Sequence, residues 1–366
     1  MPTFIHQRQD WPVFKWDSAE VLPVLGVARN LQGQLRGKMA ALGFGFQQEA
    51  WLETLTQDVL KTSEIEGEYL DLEQVRSSVA RHLSMDIAGL VPSDRHVDGV
   101  VQMMLDATQS YQQPLNAERL FDWHAALFPT GRSGMFKIST GEWRKDERGP
   151  MQVVSGGMGR ERVHFQAPDA GRIEREMSQF LGWFNAEQNI EPVLKAGIAH
   201  LWFITIHPFD DGNGRIARAI ADMQLAKAEG LPQRYYSMSA QIRRQRREYY
   251  DILEQTQRGD LDITPWLLWF IGCLREAVRS ADETLERVLA KARFWEKHAA
   301  LALNERQILL LNKLWSNFEG KLTAAKWAKI AKCSPDTALR DIQDLIGKGI
   351  LRKGEAGGRS TSYHLV

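Results

Sequence analysis

Apolar residues recur along most of this chain at the three- and four-residue spacing of a helix. Trp51, Leu55 and Val59 are spaced by four, with Leu52 and Leu60 beside them. That pattern predicts a helix stopping near Gly67, since glycine readily takes the left-handed terminating conformation. The same spacing predicts helices over 118–128, 173–185, 195–206, 216–228 and 245–257. One stretch departs from it. Segments 151–154 and 163–165 are short and β-prone, separated by Ser155-Gly156-Gly157-Met158-Gly159. They read as a β-hairpin with a mobile tip. A lone hairpin inside a helical domain needs a reason, and clamping a ligand is one.

The end of the chain has its own signature. Helices are expected over 305–315 and 323–331, then a turn through Lys332-Cys333-Ser334-Pro335. Ser334 suits an N-cap and Pro335 the first helical position, so a third helix should run to Gly347 or Gly349. Segments 350–353 and 362–366 look like two strands around a Gly-rich turn. Three helices and a two-stranded ribbon describe a winged helix. The expected organisation is mainly α: a helical N-terminal section over 1–90, a mostly helical section over 91–300, and a winged helix-turn-helix over 301–366.

Composition narrows the function classes. The 366 residues carry 46 Lys and Arg against 46 Asp and Glu, so no overall charge draws the chain to nucleic acid or membrane. The longest apolar run, 266–274, is far short of the roughly 20 residues a bilayer span needs, and no membrane partner is expected. The first ten residues lack a signal-peptide apolar core. Cys273 and Cys333 are the two cysteines, too few for a disulfide framework or a zinc site, and a reducing cytoplasm is the expected setting.

The chemistry concentrates in residues 207–218, His-Pro-Phe-Asp-Asp-Gly-Asn-Gly-Arg-Ile-Ala-Arg, between two predicted helices. Gly212, Asn213 and Gly214 form the loop entering the second helix. Glycines there let backbone N–H groups converge on an oxyanion, and the helix N-terminus adds positive potential. Arg215 and Arg218, three apart, share a face and suit a polyphosphate. Asp211 is a hard oxygen donor suited to Mg²⁺. His207 ends the preceding helix and can serve as a base near neutral pH. A base, a metal carboxylate, an anion nest and two arginines point to phosphoryl or nucleotidyl transfer.

This segment resembles the Fic family motif, His-x-Phe-x-(Asp/Glu)-Gly-Asn-Gly-Arg-x-x-Arg, at every fixed position. The resemblance implies a helical core with a β-hairpin flap, and transfer of AMP from ATP to a Ser, Thr or Tyr hydroxyl of a protein. His207 would deprotonate the hydroxyl, and Asp211 would hold Mg²⁺ on the α- and β-phosphates. Gly212, Asn213 and Gly214 would cradle the phosphates, with Arg215 assisting, while Arg218 gripped the γ-phosphate and Phe209 anchored the loop. Tyr249 and Tyr250 would line the nucleoside pocket. Gln257 stands where several relatives place Asn, a departure from the pattern. Val153, Val154, Ser155 and Gly156 would form the flap, whose backbone pairs with an extended target segment.

Thr62-Ser63-Glu64-Ile65-Glu66-Gly67 fits a second family pattern, (Ser/Thr)-x-x-x-Glu-(Gly/Asn), which ends an inhibitory helix. Glu66 would then pair with Arg218 and take the group meant for the γ-phosphate, with Glu64 facing elsewhere. Trp11-Pro12-x-Phe14-x-Trp16-Asp17 is similar to the opening of a domain carried by a subset of bacterial Fic proteins. Dimers that stabilise the inhibited form are common in the family, so a homodimer is expected.

Other features leave alternatives open. Arg243, Arg244, Arg246 and Arg247 could meet phosphates, meet an acidic target, or form a solvated helix face. His124 and His200 are expected in the core. Residues 301–366 carry eleven Lys/Arg against six Asp/Glu, a net of +5, yet Asp336, Asp341 and Asp344 lie on the predicted third helix. The winged helix could therefore recognise DNA or protein. Removal of AMP from modified proteins, an ATP-sensing DNA-bound regulator, and a donor other than ATP are the competing functions. The intact Gly212-Asn213-Gly214-Arg215 argues against the kinase-like variant.

Overall fold

The computed structural model describes residues 3–85, 89–147, 149–155, 162–187, 189–315, 318, 320–354 and 361–366, apart from the side chains of 283, 284, 287, 288 and 292. The chain divides into two compact units, Met1–Thr284 and Leu285–Val366. The first is helical, with α1 (Ser18–Ala40), α2 (Phe44–Ile65), α3 (Leu72–His82), α4 (Arg95–Gln109) and α5 (Ala117–Leu127). After α5 come a short antiparallel pair, β1 (Arg132–Ser133) and β2 (Phe136–Lys137), and then the hairpin β3 (Gln152–Ser155) and β4 (Arg162–Gln166). The chain continues through α6 (Ile173–Asn185), α7 (Pro192–Ile206), α8 (Asn213–Glu229), α9 (Met238–Arg244), α10 (Arg246–Arg258) and the long α11 (Thr264–Lys297). No described helix is long and apolar enough to cross a membrane.

Two of these helices fix the position of the motif. Every residue of α7 from Val193 to Ile206 is buried, as expected of a helix that is apolar all round. α8 packs along it and is itself buried from Ile216 to Ala226. The loop 207–212 joining them is therefore held at both ends by the centre of the unit. α2 lies over α8 and α9, with Leu52, Leu55, Val59 and Ile65 inward.

β3 and β4 pair antiparallel, with an irregularity between Val153 and Val154. Val153 and Phe165 at the hairpin base pack with Phe4 of the N-terminal segment. The predicted tip, including Gly156, lies outside the described residues.

The second unit contains α12 (Glu305–Trp315), α13 (Ala324–Ile330), α14 (Pro335–Gly347) and the antiparallel ribbon β5 (Leu351–Lys353) and β6 (Tyr363–Leu365). Leu310, Leu311, Leu322, Trp327, Ala338, Ile342, Leu345, Ile350 and Leu351 form its core. Ser334 accepts from the Thr337 amide as the N-cap of α14, as its sequence predicts.

Candidate functional site

His207 terminates α7 in the left-handed conformation, φ 53° and ψ 59°. That turn places its imidazole beside its own helix end, where Nδ1 lies 3.1 Å from the Ile204 carbonyl. A carbonyl only accepts, so the proton sits on Nδ1 and Nε2 keeps its lone pair. Burial pushes the His207 pKa down to about 4, more than the Ile204 contact raises it. The ring is thus neutral at physiological pH and poised to accept a proton at Nε2.

The loop after His207 is locked by residues around it. Phe209 is fully buried and stacks on His124, with ring centres 4.2 Å apart. Asn213 turns its side chain inward, accepting from the Phe209 amide at 3.0 Å and donating to the Phe209 carbonyl at 2.8 Å. Its side chain therefore closes the loop, and what it can offer an anion is its backbone N–H. Arg144, buried in the segment after β2, donates to the His207 carbonyl at 2.8 Å and pairs with Asp146. The motif gave no hint of Arg144, and a lone arginine in a turn-rich stretch carries no periodic signal.

Gly212 (φ +78°) caps α8, and a Cβ there would lie 2.9 Å from Phe128. The first N–H groups of a helix have no partner within it, so the turn at Asn213 and Gly214 presents donors. Arg215 and Arg218 are both buried and both turn toward the end of α2. Asp211 is half-buried beside them, accepting from the Ser133 hydroxyl and the Gly212 amide.

Two carboxylates occupy this cradle. Glu66, the C-cap of α2, accepts from Arg218 Nη2 at 2.7 Å through Oε1. The same oxygen lies 2.3 Å from where a Cβ on Gly214 would be, so the carboxylate rests on the glycine itself. Tyr250 donates to its other oxygen at 3.4 Å. Arg218 also grips the helix end, with Nε on Thr62 Oγ1 at 2.7 Å and Nη2 on the Thr62 carbonyl at 2.9 Å. Glu68, two residues on, takes Arg215 Nη1 at 2.6 Å and meets His96 Nε2 at 3.3 Å. Burial opposes ionisation of Glu68, but His96 and Arg215 outweigh it and hold its pKa below the usual range. Among the described residues, Arg218 Nη1 and Arg215 Nε have no hydrogen-bond partner. Buried guanidinium donors without partners fit an anionic ligand. Sequence reasoning did not assign Glu68 or His96. Glu68 follows the glycine of the pattern, and His96 is brought in from α4.

The remaining expected residues divide. Tyr250 is half-buried at the site, whereas Tyr249 is 1% exposed, with its hydroxyl 2.9 Å from His200 Nε2. Tyr249 packs against Trp266 and Trp269, with its ring centre 5.1 Å from that of Tyr250. Gln257 is buried, donating to Thr205 at 3.2 Å. His124 and His200 are core residues, with burial pushing their pKa values down to about 4 and about 3. The arginine run largely serves α2 and its own helices. Arg246 donates to the Ile65 carbonyl at 2.7 Å, Arg243 meets Glu64 at 3.5 Å, and Arg244 bonds Gln241 and Ser280. Glu64 faces away from Arg218, toward Lys61.

The hairpin is tied to α10, the helix carrying Tyr250. Glu254, one turn beyond Tyr250, meets His164 Nδ1 and Arg162, while His164 Nε2 reaches Ser155 Oγ. Arg258 donates to the Val163 carbonyl at 2.6 Å. Val154 is 49% exposed and Ser155 is exposed, and β3 pairs only with β4 among the described residues, leaving its other edge available.

Comparison with known proteins agrees with this geometry. Residues 114–225 match the Fic/DOC family, and residues 4–85 match a domain of unknown function. The protein adenylyltransferase Fic of Culex quinquefasciatus is 28% identical over 229 residues, covering 60% of this chain and 40% of that protein. Its counterpart in Drosophila ananassae is 25% identical over 232 residues, covering 62% and 41%. The chain thus spans about two fifths of the length of these curated relatives. A Fic family protein from Desulfovibrio desulfuricans shares the fold with a TM-score of 0.53 at 20% identity, covering 96% of this chain and 97% of that one. A Fic domain-containing protein from Bacteroides thetaiotaomicron aligns with a TM-score of 0.51 at 18% identity, covering 73% and 97%. The loop 207–218 lies within the residues that match the Fic/DOC family.

Proposed function

We propose that this chain transfers AMP from ATP to a Ser, Thr or Tyr hydroxyl of a protein, and that residues 62–68 hold it off. The observation that carries this reading is the pair of carboxylates on Arg218 and Arg215, with Glu66 lying against Gly214. Those groups suit phosphates, and the protein's own anions stand in for them.

His207 Nε2 accepts the hydroxyl proton as the oxygen attacks the α-phosphorus. The bond from the hydroxyl oxygen to Pα forms, the bond from Pα to the bridging oxygen breaks, and pyrophosphate leaves. Positioning and charge neutralisation carry such a transfer. The α8 N-terminus and Arg215 neutralise phosphate oxygens, and Arg218 takes the terminal phosphate once Glu66 is displaced. Asp211 would hold Mg²⁺. Its single carboxylate fits the sparse protein ligation of that ion, which completes its shell with water and phosphates and there neutralises charge. The open edge of β3 suits addition of a target strand, which would align a hydroxyl with little sequence reading. In this reading 1–90 regulates, 91–300 catalyses, and 301–366 is accessory.

The test is incubation of full-length protein with α-labelled ATP, Mg²⁺ and cell lysate, read by mass spectrometry. Glu66→Gly should raise labelling and His207→Ala should abolish it. Absence of AMP from every protein with both parent and Glu66→Gly sinks the proposal. One observation also favours the reverse reaction. Glu66 remains 29% exposed beside the cradle, where it could orient a water. Release of AMP from a modified protein by the parent, lost in Glu66→Gly, would establish that activity.

A further inference from the structure

We infer that the second unit carries a binding surface for double-stranded DNA, formed by the exposed face of α14 and the ends of the elements beside it. The charge of the chain is divided unequally. Residues 285–366 hold fifteen Lys and Arg against eight Asp and Glu, a net of +7, while residues 1–284 hold thirty-one against thirty-eight, a net of −7. The neutral whole conceals a basic unit.

The objection from sequence was the acidic residues on α14. The structure places two of the three in partnerships of their own. Asp341 is 5% exposed and held by Arg306, with Nε and Nη2 at 2.8 and 3.0 Å, and by Asn304 at 3.0 Å. Asp344 accepts from Gln307 at 2.8 Å and pairs with Lys348. Both negative charges are therefore neutralised within the unit. Ala338, Asp341, Ile342 and Leu345 form the inward side of α14. Asp336, Leu339, Arg340, Gln343 and Asp344 lie on the exposed side, with Asp344 paired to Lys348.

That exposed side has the chemistry of base readout. Arginine pairs with guanine and glutamine with adenine in the major groove. Asp336, in the first turn, favours the helix dipole and can accept from a cytosine amine. The helix is 13 residues long, roughly 20 Å, which suits a major groove. Lys329 at the end of α13, Lys332 in the turn, and Arg352 and Lys353 on β5 are exposed and supply phosphate contacts from flanking elements. An acidic protein could use the same charges but gains nothing from the Arg340 and Gln343 spacing on one helix face.

Fluorescence anisotropy of the full chain with a labelled duplex of about 30 base pairs tests this, as salt rises from about 50 to about 200 mM. With the four phosphate contacts, affinity should fall about 150-fold over that range. Arg340→Glu and Lys332→Glu should each weaken binding by at least about ten-fold, with thermal melts matching the parent. Three results would overturn the inference: no binding at the lower salt, binding indifferent to both substitutions, or equal displacement by polyglutamate at matched charge. The last would mark a general polyanion surface.

Discussion

Replacing Glu68 by Gln removes one charge from the proposed lock and leaves its shape. The parent carboxylate bonds the Arg215 guanidinium at 2.6 Å, with Arg215 1% exposed and Glu68 36% exposed. A hydrogen bond to a charged group contributes about 1.5–3 kcal/mol. Exposure of the carboxylate screens it, so about 1 kcal/mol remains for incoming phosphates to overcome. That is roughly a five-fold change in ATP affinity. The assay is AMP incorporation against ATP concentration in a Glu66→Gly background, where turnover is measurable. Glu68→Gln should lower the half-saturating ATP about five-fold with little change in maximal rate. His96 adds a pH signature. Its Nδ1 lies 3.1 Å from the Leu127 carbonyl and its Nε2 faces Glu68, both acceptors, so the doubly protonated ring satisfies both. The Glu68 contact raises the His96 pKa above 6.5, outweighing burial. A raised histidine pKa stabilises the contact fully below 6.5 and loses that stabilisation as pH climbs through the raised value. The benefit of Glu68→Gln should therefore be larger near pH 6 than near pH 8.5. Half-saturation unchanged by the substitution at both pH values would refute the second contact as an ATP competitor.

Other consequences follow from the same geometry. With the His207 pKa lowered to about 4, the acid limb of the pH–rate profile should fall near 4 rather than 6.5, and a limb near 6.5 assigned to His207 would contradict the buried neutral base. Gly212→Ala forces a left-handed alanine, at about 1–2 kcal/mol, and drives a Cβ to 2.9 Å from Phe128, on which Arg215 stacks; urea denaturation should show the loss, and parental stability would refute the strain argument. Asp58 of α2 and Asp222 of α8 are buried around Arg234, at 3.7 and 2.8 Å. Burial and the neighbouring Asp222 push the Asp58 pKa up. Arg234→Met should cost about 3–5 kcal/mol by thermal melting, with Asp58→Asn recovering part of it, and a neutral Arg234→Met would show that the pair does not depend on its cation.

Legibility from sequence followed the range of the interaction. Helices α5, α6, α12 and α14 lie within a residue or two of their expected bounds, because one face of each is apolar and the other is not. The loop chemistry was readable because His207, Gly212, Arg215 and Arg218 are contiguous. α1 was not read, since its apolar residues are scattered and Pro23 and three glycines interrupt it. Arg144 on the His207 carbonyl, His96 on Glu68 and Asp58 beside Arg234 were invisible because each partner lies dozens of residues away. Tyr249 shows the converse limit. Adjacent tyrosines on one helix point about 100° apart, so Tyr249 is buried while Tyr250 is half-buried, although their ring centres lie 5.1 Å apart.

Release of the proposed lock need not move all of α2. Its middle is fixed by buried groups, with Asp58 on Ser237 and near Arg234, and Leu55 and Val59 in the core. Its last turn is held differently. Arg218 grips Thr62, Arg246 grips the Ile65 carbonyl, and Lys61 and Arg243 grip Glu64 through half-buried pairs. These are polar contacts at a helix end, added to the packing of the fully buried Thr62, Ser63 and Ile65. Arg218 joins the two regimes. Its Nε and Nη2 hold the turn, while Nη1 has no hydrogen-bond partner among the described residues. Transfer then depends on displacing one carboxylate from Gly214, a movement that rotation of the Glu66 side chain at the exposed C-cap can supply.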